Sequence, residues 1–218
     1  LSMPPQEGKS ERCAFWFPVW LLMQNPYLRI GIVSYSHDIA RRWGRKIRDA
    51  ISEYDLGIEV RDDVSAQNEW QLTNGVGGVF ATGVDGGVTG RPVDVLIIDD
   101  PIKNRTEADS KTTRKTVWEF WTSSAMTRLA PGAPVLLDMT RWHEDDLAGR
   151  LLAEEDSPWR SINIPAQAKP DDILWRAEGD WLTSTRGRSV KDWEKRKRAT
   201  PSRDWEAMYQ GSPSDEEG

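Results

Sequence analysis

The chain has 218 residues with a formal net charge of −6 and a single cysteine, a length that suits one sizeable α/β core with a small appendage. Cys13, expected as buried filler, excludes an internal disulfide framework and a cysteine-rich zinc site. The acidic balance argues against tight nucleic-acid binding by this surface alone, and the apolar run 14–23 is broken by Pro18, so a soluble intracellular protein without a membrane span or signal peptide is expected.

Residues 1–3 read as the end of a strand whose earlier part lies upstream. They feed Pro4-Pro5-Gln6-Glu7-Gly8-Lys9-Ser10, which ends as a phosphate-binding loop ends. In such a loop backbone N–H groups and a helix N-terminus surround phosphates, a lysine neutralises the β- and γ-phosphates, and a hydroxyl ligates Mg²⁺. The general pattern G-x-x-x-x-G-K-[ST] has a glycine where this chain has Met3, so the match is confined to Gly8-Lys9-Ser10. An ordinary turn before a helix is the plainer reading of these residues taken alone.

Helix is expected over 9–23, strand over 29–34, and helix over 39–54 with Ile39, Trp43, Ile47, Ala50 and Ile51 on one side. Segments 69–73 and 78–82 flank Asn74-Gly75-Val76-Gly77 as a β-hairpin. A glycine-rich loop, 85–91, leads into Asp94-Val95-Leu96-Ile97-Ile98-Asp99-Asp100, an apolar run too short for an amphipathic helix that ends in two carboxylates. A buried central strand delivers acids to a sheet edge in this way. Lys9, Ser10, Asp99 and Asp100 together describe a site for ATP and Mg²⁺, with Asp99 holding the metal and Asp100 beside the attacking water.

Further on, 106–130 reads as mostly helical with Trp118, Trp121 and Ala125 on a buried stripe. Strand 134–139 is followed by Thr140-Arg141-Trp142-His143-Glu144-Asp145-Asp146, helix 144–155 and strand 160–164. His143 reads as part of a helix entrance, with a sensor or general base as the alternative. Beyond Pro165 the composition shifts to an irregular lid or linker with short helices at 190–199 and 202–209. Basic clusters at Arg41, Arg45 and Arg48 and at 195–198 read as solvated helix faces or as surfaces that a ring of subunits concentrates on DNA. Most of the twelve tryptophans read as core or interface anchors; Trp142 and Trp175 are left unassigned.

Taken in order, Pro-Pro-Gln-Glu-Gly-Lys-Ser, Val-Ser-Tyr-Ser, Thr-Gly-Arg-Pro-Val-Asp-Val-Leu-Ile-Ile-Asp-Asp-Pro-Ile-Lys, Thr-Arg-Trp-His-Glu-Asp-Asp-Leu-Ala-Gly and the late Tyr209-Gln210 resemble the ATPase half of tailed-phage large terminase subunits. The resemblance spans Pro4 to about Gln210. It implies a P-loop NTPase fold with a mainly parallel sheet flanked by helices, a hairpin and a C-terminal lid. It also implies an ATPase core at 1–165 and a lid or linker at 166–218 leading to a nuclease domain that this chain does not contain.

The implied function is Mg²⁺-dependent ATP hydrolysis driving viral DNA through a portal into a procapsid. Its partners would be double-stranded DNA, the portal protein, the small terminase subunit and other copies in a ring, in the host cytoplasm at the procapsid. Carried over by position, Pro5, Gln6, Glu7, Gly8, Lys9 and Ser10 bind ATP, Ser10 and Asp99 organise the metal, Asp100 is the catalytic carboxylate, and Thr140 and Arg141 couple hydrolysis to movement. Two residues depart from the pattern. Gln6 stands where many relatives carry a basic residue, and Asp100 where a glutamate is usual.

The developing charge on the transferred phosphoryl group calls for an arginine. Arg91, on the glycine-rich loop, is the candidate, acting from a neighbouring subunit; pairing with Asp94 or exposure to solvent is the alternative. A helicase-like motor and a nucleotide-gated portal-docking module are the rival functions. Nuclease activity is not expected in this chain.

Overall fold

In the computed structural model, which describes residues 1–86, Gly90 and 92–214, six strands form one sheet: β1 (Arg29–Ser34), β2 (Val60–Ser65), β3 (Glu69–Leu72), β4 (Gly78–Gly83), β5 (Val95–Asp99) and β6 (Val135–Asp138). Their order is β2-β3-β4-β1-β5-β6. Strands β4, β1, β5 and β6 run parallel, and β3 and β2 add an antiparallel edge. Every residue of β4 and β5 is buried, and all of β1 but Arg29. That is why β1 and β5 read as continuous apolar runs rather than as alternating ones.

Chain contacts divide the protein into two units. Leu1–Lys9, Asn104–Arg114 and Met139–Gly218 make one; Ser10–Lys103 and Lys115–Asp138 make the other and carry the sheet. In the sheet unit a π-helical turn, Glu11–Trp16, runs on as α1 (Phe17–Gln24), and α2 (His37–Glu53) packs on β1 and β4. The Ser36 hydroxyl accepts from Ile39 N–H and caps α2, two residues ahead of the expected start. Ala40, Gly44, Ile47, Ala50 and Ile51 form its buried face. A side chain at Gly44 would lie 2.9 Å from the Gln67 carbonyl, so the close approach requires glycine.

The expected hairpin is present between β3 and β4. The Asn74 side chain accepts from the N–H groups of Val76 and Gly77 at 2.9 and 3.0 Å, and Gly75 takes φ +74°. Strand β2 was not expected. Its sequence, Val-Arg-Asp-Asp-Val-Ser, carries the charge of a sheet edge, where side chains blunt further pairing, and shows no apolar alternation. Helix 106–130 is interrupted: α3 (Arg105–Asp109) stops at Ser110, whose hydroxyl accepts from Thr113 N–H as α4 (Lys111–Glu119) begins. A π-helical turn, Phe120–Ala125, follows and buries Trp121 and Ala125.

In the other unit the N-terminal residues form a single parallel bridge, Ser2 with Asn163, in place of two expected strands. Ser2 N–H donates to the Ile162 carbonyl, and the Leu1 carbonyl accepts from Met139 N–H. Helix α5 (Leu147–Ala153) starts three residues later than expected, because Asp146 caps it. The tail is irregular in backbone over 165–189, as expected, and in addition builds an aromatic core. Ala166, Leu182, Trp193, Trp205 and Tyr209 cluster with Trp181 and Met3. Trp205 stacks on Tyr209 with centroids 4.7 Å apart, and α6 (Val190–Ala199) supplies Trp193. The expected helix 202–209 is α7 (Ser202–Asp204) and a π-helical turn, Trp205–Tyr209. Among the described residues no helix is long and apolar enough to cross a membrane.

Candidate functional site

The loop and the acidic strand fall in different units, so the geometry of each is local. In the loop, Gln6 and Gly8 take φ +64° and +86°, and helical backbone starts at Lys9. Only a glycine adopts this conformation at position 8 without strain. Lys9 is buried, and Glu7 is fully so.

The Glu7 carboxylate is held by the tail. It accepts from the Ser184 hydroxyl at 2.9 and 3.1 Å, from Thr185 N–H at 2.8 Å, from the Thr185 hydroxyl at 3.1 Å, and from the Arg188 guanidinium. A carboxylate removed from water needs this many donors, and here one of them is a cation. The sequence placed Glu7 in the loop but offered no sign of these partners.

In the sheet unit the Asp99 side chain is buried at the end of β5, in register with Ser34 on β1 and Asp138 on β6. Trp43 Nε1–H donates to Asp99 Oδ2 at 2.7 Å. Trp43, expected on the apolar stripe of α2, is thus half-buried with its polar edge on the acid. Asp100 leaves the sheet with φ +42°, a left-handed conformation that aspartate tolerates better than most residues. Its backbone is tied on both sides: N–H donates to the Asp138 carbonyl at 2.8 Å, and its carbonyl accepts from Tyr35 N–H at 3.1 Å. Non-glycine residues held in this region cluster at functional sites.

Thr140 is buried, and Arg141 donates to the carboxylate of Asp146, which is fully buried. Burial pushes the Asp146 carboxyl up, against the pull of Arg141 and of the Gly149 N–H that it caps. Next to it, the Asp145 carboxyl is pulled down to about 2 by hydrogen bonds from Arg150 and Arg114. His143 Nδ1 accepts from Asp145 N–H at 3.0 Å, which matches the helix-entrance reading. Trp142 lies under the Arg105 guanidinium, 5.5 Å from ring centroid to Cζ, whereas Trp175 is 93% exposed. Arg91 lies outside the described residues; Asp94 pairs with Arg29 at 2.7 and 2.8 Å.

A family profile described as the N-terminal part of the terminase large subunit, T4likevirus type, matches residues 1–218. The chain belongs to this family. Solved structures of large terminases share its fold. The HK97 bacteriophage large terminase superposes with a TM-score of 0.59 at 15% identity, over 91% of this chain and 42% of that one. The large terminase of a thermophilic bacteriophage, solved with ADP, gives 0.55 at 11% identity, over 96% and 46%. The same protein with ATP-gamma-S gives 0.52 at 10% identity over the same shares. The chain thus spans less than half the length of these large terminases. No curated protein sequence matches it.

The residues present suit the groups that this family reading implies. Lys9, buried at the start of helical backbone, is of the chemistry that suits phosphates. A magnesium ion held by one hydroxyl, one or two carboxylates, phosphate oxygens and water requires no cluster of acids. Among the described residues no group of three or more potential ligands exists.

Proposed function

We propose that this terminase domain is a Mg²⁺-dependent ATPase that powers translocation of double-stranded viral DNA through a portal into a procapsid. The observation that carries the reading is the acid pair at the end of the central strand β5, buried Asp99 followed by left-handed Asp100, in a chain of this family. The ADP and ATP-gamma-S bound by the thermophilic relative support a nucleotide as the ligand.

Phosphoryl transfer to water needs clamped phosphates, a placed metal, an oriented water and compensated charge. Pro5, Gln6, Glu7, Gly8 and Lys9 form the phosphate loop, and Lys9 neutralises the β- and γ-phosphates. Ser10 and Asp99 hold Mg²⁺, and Asp100 orients the attacking water. Thr140 and Arg141 couple hydrolysis to movement. Arg91 reaches the transferring group from a neighbouring subunit of a ring, and 166–218 serves as lid and linker. The portal and the small terminase subunit are the partners, in the host cytoplasm.

ATP turnover measured with and without DNA and portal tests this reading. Stimulated turnover that Lys9→Ala abolishes is expected; nucleotide binding without hydrolysis under every condition would leave a docking module instead. Mixed assemblies of Arg91→Ala and Lys9→Ala subunits regain turnover if Arg91 acts in trans, where such an arginine is worth roughly 10³ to 10⁵.

A further inference from the structure

Glu7 and the turn 184–188 make one built object, and the function proposed so far uses only half of it. Both ends of the turn are fixed. Leu182 N–H donates to the Ala166 carbonyl on one side, and on the other Ser189 caps α6 in a reciprocal pair with Asp192. Inside the turn Gly187 takes φ +71° and donates to the Ser184 carbonyl, while Arg186 N–H donates to the Ser184 hydroxyl. Ser184, Thr185 and Arg188 all bond to Glu7, and Arg188 also lies 5.2 Å from the ring centre of fully buried Trp193.

The remaining basic residue of the turn is different. Arg186 is exposed, and its guanidinium makes no hydrogen bond or ion pair among the described residues. It is one residue from Thr185, which touches the phosphate loop, and adjacent Cα atoms are about 3.8 Å apart. An arginine held this near a phosphate-binding loop, with no acid assigned to it, has the chemistry of a polyphosphate ligand.

We propose that the turn 184–188 belongs to the nucleotide site and that Arg186 supplies the polyphosphate with the positive charge that Gln6 cannot. Glu7 is then a positioning residue: it holds the turn, and with it Arg186, against the loop. The proposal rests on the phosphate-loop reading above. It assigns to the same chain a cationic contact separate from any arginine of a neighbouring subunit.

The test is equilibrium binding of a fluorescent, slowly hydrolysed ATP analogue and of ADP to the full chain, with Mg²⁺. Arg186→Ala is expected to weaken the ATP analogue about 10-fold or more, with Arg186→Lys recovering part of the loss and thermal stability unchanged. Glu7→Gln is expected to weaken the analogue as well, and less so once Arg186 is already alanine, because the two act through one turn. Wild-type affinity in Arg186→Ala, while Lys9→Ala loses binding, overturns the proposal and leaves the loop reading intact. Wild-type affinity in Lys9→Ala overturns both.

Discussion

Arg141 donates from Nε to both carboxylate oxygens of Asp146, at 2.9 and 3.1 Å, where the acid is fully buried and the arginine side chain is 15% exposed. The same carboxylate accepts from Gly149 N–H at 2.8 Å and caps α5. Arg141, proposed above for coupling, is therefore fixed to the start of a helix.

Removing one member of a buried ion pair strands the other, at a cost of about 3–5 kcal/mol. Asp146→Ala is expected to lose an amount in that range, and Asp146→Asn less, since an asparagine still caps α5. Urea denaturation of both variants measures the difference. Equal, small losses would mean that Arg141 finds another partner.

Acid sensitivity centres on the neighbouring residue. Asp145 sits between Arg150 and Arg114, and its carboxyl is drawn from the ordinary 3.8 to about 2. A depressed carboxyl contributes stability that is present above its unfolded value and is lost as pH falls from about 4 to about 2. Its side chain is 43% exposed, so screening limits the effect to on the order of 1 kcal/mol. Asp146 has the opposite sign: its raised carboxyl favours the folded state at low pH and loses that contribution as pH rises above its unfolded value. Asp145→Asn should flatten the decline of the melting temperature below pH 4; an unchanged acid limb would place the sensitivity elsewhere.

Elements whose signal is contiguous were legible in the sequence. β1 and β5 are unbroken apolar runs, the β3–β4 hairpin carries Asn74-Gly75, and α6 begins with a serine cap. The central position of β1 and β5 goes with their burial on both faces. β2 was missed because an edge strand needs no apolar alternation. The aromatic core of the tail was missed because its tryptophans lie on separate short elements that only tertiary packing brings together. For the site, the loop and the acid pair were read from local spacing. The donors to Glu7 and the Trp43 hydrogen bond to Asp99 come from distant residues with no periodic pattern to announce them.

Nucleotide binding should depend on Gly8, Lys9 and Ser10. Lys9→Ala removes the cation from a loop whose backbone is otherwise preserved, so calorimetric titration with ATP and Mg²⁺ is expected to show at least a tenfold loss, of the size of about one charge-assisted contact. Binding at wild-type strength would remove the loop from the site.

The two acids at the end of β5 should separate binding from chemistry. Asp99 is buried and aligned by Trp43 at 2.7 Å, which suits a residue that organises a metal; Asp100 is less buried, with left-handed backbone, which suits one that faces water. Asp99→Asn is therefore expected to weaken Mg²⁺-dependent nucleotide binding, while Asp100→Asn binds nucleotide normally and turnover falls by about 10² or more. Trp43→Phe keeps an aromatic side chain, though a smaller one, and removes the indole N–H that Asp99 accepts. It should move the Mg²⁺ concentration needed for half-maximal nucleotide binding upward, in the direction of Asp99→Asn but less far, because the carboxylate keeps its charge and loses its alignment. Identical behaviour of Asp99→Asn and Asp100→Asn would erase the division of roles. A Trp43→Phe protein with an unchanged Mg²⁺ requirement would show that the Asp99 carboxylate is aligned without this hydrogen bond.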